Sequence, residues 1–203
     1  MYTVVGRVLL GCALMSGVML GSHTGAFAVD GYIDFLPAWT HVASACAVDE
    51  NSLSKTSTSG AYFTFKGASV SAPGGPLLGP IPLVARCNVV NPLDVRGLEP
   101  GNPNWNALIV TYLDPDGTGT AHRVQARLVR VSRATGAGAT IATFNSNGFN
   151  IATQTEQLRS FTHTFNFGDY YYYVELALTR TDAATGNPRL AAVRLAQASS
   201  VPE

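Results

Sequence analysis

The stretch Trp105-Asn-Ala-Leu-Ile-Val-Thr-Tyr-Leu-Asp-Pro-Asp-Gly-Thr-Gly-Thr-Ala-His-Arg-Val-Gln-Ala-Arg-Leu-Val-Arg-Val-Ser-Arg133 places two β-rich runs on either side of a strong turn. Asp114-Pro115-Asp116-Gly117 suits a type I turn. Asp accepts a backbone N–H at the first corner, Pro presets φ at the second, and Gly closes the turn. A hairpin is the expected local structure. In the first arm Leu108, Val110 and Tyr112 oppose Ala107, Ile109 and Leu113, so both faces are apolar and the strand belongs in a sheet covered on both sides. In the second arm Val124, Ala126 and Leu128 share a face while Val129 and Val131 fall on the other. A β-bulge at Leu128 and Val129 reconciles the two phases. A helix from Ala121 to Val131 is the competing reading; the preceding turn and the lack of a convincing N-cap favour the strand.

Outward from this stretch the period-2 signal recurs. Phe63 and Phe65 alternate with Tyr62, Thr64 and Lys66. Pro82 to Val90 turns Leu83, Ala85, Cys87 and Val89 inward. A strand is expected from Ala139 to Phe144, after a turn at Thr135 to Gly138 and before one at Asn145 to Gly148. Arg159 to Phe167 alternates Phe161, His163, Phe165 and Phe167 with polar residues. Tyr170 to Thr181 places Tyr172, Val174, Leu176 and Leu178 inward and Tyr171, Tyr173 and Glu175 outward. Further strands are expected near Trp39 and over Arg189 to Leu195. Asp49 to Gly60, Ala72 to Pro80, Asn91 to Asn104 and Asp182 to Pro188 read as links, and the tail from about residue 196 as frayed. Eight or nine strands and no confident helix predict an all-β fold. Two antiparallel sheets packed as a sandwich of immunoglobulin-like or jelly-roll kind are expected, with a closed barrel second.

The first 28 residues read as a cleavable signal peptide: Arg7, an apolar run from Val8 to Leu20, and a small-residue site ending Ala26-Phe27-Ala28. The apolar run is short for a membrane span, and Cys12 lies too deep inside it for a lipoprotein box, so no span is expected after cleavage. Residues 29–203 then form a single exported domain, periplasmic or extracellular. Removing Arg7 from the 13 basic residues leaves 12 against 13 acidic ones, so no basic field exists to hold nucleic acid. Cys46 and Cys87 are the two cysteines left, and in an oxidising compartment they are expected to form a disulfide.

Three constellations are candidates for function. Asp114, Asp116 and Thr118 place side-chain oxygens at alternate positions of a Gly-containing turn, as calcium requires. Help from Asn104, Glu99 or Asp94 would be needed, and an ordinary hairpin tip is the plainer reading. Tyr171 and Tyr173, joined by Tyr62, form an expected outward aromatic platform for a glycan or a protein surface, against a plain role in bracing the sheet. His163, between phenylalanines, reads as a core histidine before a catalytic base. His41, His122 and His163 lack metal-ligand spacing, and no nucleophile elbow, Walker loop or zincin motif occurs. The expected function is non-enzymatic surface contact: binding, adhesion or assembly, with carbohydrate recognition or self-assembly as the specific forms. The alternative is a secreted jelly-roll hydrolase or lyase using His163 or a carboxylate pair among Asp94, Glu99, Asp114, Asp116, Asp169 and Glu175.

Overall fold

Short runs of β-branched and aromatic residues punctuated by Gly, Asn and Pro set the architecture. In the computed structural model, residues 38–67, 82–93, 101–181 and 186–198 are described. The segment expected to be a signal peptide, with its expected cleavage site, the link expected over residues 72–80, and Asp94 and Glu99 lie outside them. The strands are β1 (Trp39–Val42), β2 (Ala47–Val48), β3 (Thr56–Ser57), β4 (Phe63–Phe65), β5 (Leu83–Val89), β6 (Ala107–Leu113), β7 (His122–Ser132), β8 (Gly138–Asn145), β9 (Thr155–Ser160), β10 (Tyr170–Arg180) and β11 (Arg189–Ala196).

Every pairing is antiparallel, and the strands form two sheets. The first runs β3-β4-β11-β6-β9, with β1 also pairing along β11; the second runs β2-β5-β10-β7-β8. Short 3-10 turns are the only helical elements among the described residues, and none is long and apolar enough to cross a membrane. The all-β, two-sheet expectation is met.

The core lies between the sheets. Phe63, Leu108, Val110, Tyr112, Leu190 and Val193 from the first face Leu83, Val124, Leu128, Phe144, Val174 and Leu176 from the second. Full burial of each such side chain contributes about 1.5–3 kcal/mol. The inward faces of β5 and β10 are those the alternation predicts, and β10 is buried at Tyr172, Val174, Leu176 and Leu178. Cys46, just before β2, is bonded to Cys87 of β5, next to the Ala47↔Arg86 pairing. The expected bulge in β7 does not form: β7 runs in unbroken register with β10, with Val129 and Val131 on the outer face beside Tyr173 and Tyr171, and the register shift opposite Leu128 and Val129 leaves its extra residue, Ile141, in β8.

Two further expectations fail. The turn forms, with Gly117 N–H donating to Asp114 O at 3.2 Å and Gly117 at φ 60°, but its arms do not pair. β6 lies between β11 and β9 in one sheet, and β7 between β10 and β8 in the other. The loop makes a second turn, Gly119 N–H to Asp116 O at 2.9 Å. Asp116 Oδ2 then accepts the N–H groups of Ala121 at 2.8 Å and His122 at 3.2 Å. These bonds redirect the chain across the core, so the connection is an arch between sheets. The second failure is the strand expected over Arg159 to Phe167: β9 ends at Ser160, and residues 161–166 form no ladder. The alternation there is that of an extended segment whose rings pack at the end of the sandwich, with Phe165 against Trp105, His163, Phe167 and Tyr172.

Candidate functional site

Four consecutive tyrosines open β10, and the pleat sends them to opposite faces. Tyr172 is buried, and Tyr171 is 59% exposed. Register places Tyr173 beside Asn88 of β5 and Val129 of β7, and Tyr171 beside Val131. The outer face of the second sheet is therefore aromatic at this end. Two residues further along it is ionic. Glu175 bonds Arg127 and also Arg86 at 3.3 Å, and Arg86 reaches Asp49 at 3.3 Å.

Where β5 and β7 end and β10 begins, a cleft of about 780 Å3 opens, within the size range of small-ligand sites. Its described lining comprises Asn88 to Asn91, Asn102, Arg133, Asn166 to Gly168 and the four tyrosines. None of these is Asp, Glu or His. The Arg133 guanidinium lies over the Tyr171 ring, 4.6 Å from its centroid, and among the described residues it forms no salt bridge. Asn91 and Asn166 brace the rim. Asn91 accepts the Leu93 N–H and donates to Gly101 O, both at 3.0 Å. Asn166 accepts the N–H groups of Gly168 at 3.0 Å and Asp169 at 3.1 Å. The exposed amides of Asn88 and Asn102 have no hydrogen-bond partner among the described residues.

Beneath the cleft, the Tyr172 hydroxyl accepts the Asn166 N–H at 2.9 Å and lies 3.2 Å from His163 Nε2. Burial, then the nearby Arg130 charge, holds the His163 imidazole below its ordinary value. His163 is thus held as an aromatic packing group, and the charge acting on it is cationic.

Tyr62 is not brought to Tyr171 and Tyr173. It precedes β4 in the first sheet, where its hydroxyl donates to Gln154 Oε1 at 2.7 Å and its ring lies 5.8 Å from the Arg189 guanidinium. The acidic arch is the other cluster. Asp114 is fully buried and accepts from the Ser146 hydroxyl, while Asp116 Oδ1 lies 3.4 Å from His122 Nδ1. Thr118 is exposed; Ser146 and Asn147, from the turn after β8, approach in its place. Burial, reinforced by the Asp116 carboxylate, pushes Asp114 up to about 6 against the pull of Ser146. Burial also pushes Asp116 upward, but Asp114, the two backbone N–H groups and His122 outweigh it and hold Asp116 low. Of the other carboxylates considered for catalysis, Glu175 is paired with arginines and Asp169 accepts from the Asn166 amide at 2.8 Å. No known protein-family model matches the chain, and no curated protein matches it.

Proposed function

We propose that this chain is an exported, non-enzymatic β-sandwich of immunoglobulin-like or jelly-roll kind that works by surface contact in the periplasm or outside the cell. In this reading, residues 1–28 are its signal peptide, and the cleft at the head of β10 binds neutral carbohydrate. The observation that carries the reading is the cleft's composition: tyrosine rings, exposed asparagine amides and an arginine with no ion-pair partner among the described residues. Aromatic faces cover the C–H faces of sugar rings with little entropy to lose. Amides and guanidinium supply paired donors and acceptors for vicinal hydroxyls. The described lining offers no carboxylate or imidazole to act as acid or base, which weighs against a hydrolase working here.

The test is affinity electrophoresis through gels carrying neutral polysaccharides. Wild-type protein should be retarded by at least one of them, and the double variant Tyr171→Ala, Tyr173→Ala should lose about tenfold or more in affinity, since stacking contacts are worth about 0.5–1.5 kcal/mol each beyond their area. Turnover of a glycoside or ester panel, abolished by a single carboxylate or His163 substitution, would overturn the reading. Sedimentation separates it from self-assembly, which would give a concentration-dependent oligomer.

A further inference from the structure

At the opposite end of β7 from the cleft, several buried oxygens make no hydrogen bond. Asp114 Oδ1, Asp116 Oδ1, Asn147 Oδ1 and the Tyr112 hydroxyl are buried atoms that make no hydrogen bond. Buried polar atoms are normally paired, and each orphan costs about 1–3 kcal/mol. Local bonding holds the carboxylates in this arrangement. Asp114 Oδ2 takes the Ser146 hydroxyl, and Asp116 Oδ2 takes the Ala121 and His122 N–H groups, leaving Asp114 Oδ1 over and Asp116 Oδ1 3.4 Å from His122 Nδ1. A Cβ on Gly119 would sit 2.2 Å from Asp116 Oδ2, so the loop closes tightly round this carboxylate. Asn147 is fastened to the same loop through its amide, which donates to Gly119 O.

We infer that Asp114, Asp116 and Asn147 bind a divalent, oxygen-preferring cation of calcium type at the junction of β6, the arch and the turn after β8. Asp114, Asp116 and His122 each present a ligand atom within 4.8 Å of the others, close enough for one ion to span the carboxylates. Two like charges this close in a buried place need a countercharge; His122 Nδ1 lies 3.4 Å from Asp116 Oδ1, and among the described residues neither carboxylate pairs with Lys or Arg. Carboxylate and amide oxygens are the donors hard cations take. The Tyr112 hydroxyl, on a side chain 1% exposed two residues before Asp114, is a further buried oxygen that makes no hydrogen bond. The site does not depend on the carbohydrate reading, because the 11 residues of β7 separate it from the cleft by about 35 Å at roughly 3.3 Å per residue.

The test uses the full chain, freed of metal with EDTA, at neutral pH. Calcium at about a hundredfold excess over its dissociation constant should raise the thermal midpoint by roughly 5 to 10 °C, and Asp114→Asn should lose that rise. Terbium luminescence excited through nearby Tyr112, and displaced by calcium, gives a second readout on unaltered protein if the variant does not fold. Absence of both the midpoint shift and a calcium-displaceable terbium signal overturns the inference. A rise of equal size in Asp114→Asn also overturns it. So does a response to zinc alone, which would put the ion on His122 rather than on the oxygen set.

Discussion

Replacing Ser146 by alanine should destabilise the fold far more than replacing Ser52, although both are buried serines in 3-10 turns that catch the N–H of a strand in the second sheet. Ser146 Oγ accepts the Val124 N–H at 2.8 Å and donates to the fully buried Asp114 carboxylate. Alanine leaves a buried N–H unpaired, at about 1–3 kcal/mol, and removes a hydrogen bond to a charged group worth about 1.5–3 kcal/mol. The expected loss is about 3–5 kcal/mol. Ser52 Oγ accepts the Val84 N–H at 2.9 Å in a part-buried setting and has no carboxylate to serve, so Ser52→Ala should cost about 1 kcal/mol. Urea denaturation of both variants in EDTA at neutral pH, with slopes checked for constancy, measures the difference. If Ser146→Ala fell within 1 kcal/mol of Ser52→Ala, the reasoning that Asp114 depends on this hydroxyl would be refuted.

Other outcomes follow from the same coordinates. Converting Cys46 and Cys87 to alanine opens a link between residues 41 apart in sequence. It should cost about 4 kcal/mol on the chain-entropy model, read as a fall in denaturant midpoint; an unchanged midpoint would contradict it. His163 is held below its ordinary value of 6.5 by burial and then by Arg130. The native state therefore takes its proton less readily than the unfolded chain. Its contribution to stability is complete above 6.5 and is lost as pH falls from there toward the depressed native value. Thermal midpoints between neutral pH and pH 5 should consequently fall more in wild type than in His163→Gln, and parallel curves would count against this assignment.

Much of the fold was legible because a half-buried strand repeats every two residues. Leu83 to Val89 and Tyr172 to Leu178 declare their inner faces, whereas Val129 and Val131 mimic a change of phase because they pack on the outer face beside Tyr173 and Tyr171. The partner of a strand is not written in this way. Asp114-Pro115-Asp116-Gly117 specifies a turn, and a turn closes hairpins and arches alike; what separates them here is the capping of Ala121 and His122 by Asp116. Alternation over Phe161 to Phe167 likewise reports extended chain with one buried side, which rings packed at the end of a sandwich satisfy without a ladder. The same limit governs the sites. Parity puts Tyr171 and Tyr173 on one outward face, whereas nothing local to Tyr62 says which sheet it joins. The cleft takes Asn91 and Asn102 from near the two ends of the link read over Asn91 to Asn104. Ser146 lies 32 residues from Asp114, and no local pattern announces a contact made across the core.

The most direct test of the central claim, that the head of β10 is the contact surface, is an NMR titration of the protein with a polysaccharide fragment it retains. The account predicts shifts confined to Asn88, Asn91, Asn102, Arg133, Tyr171 and Tyr173, with Tyr62, Gln154 and the arch at Asp114 to His122 unmoved. Shifts centred on the arch or on the Tyr62 edge, with the β10 tyrosines silent, would contradict it.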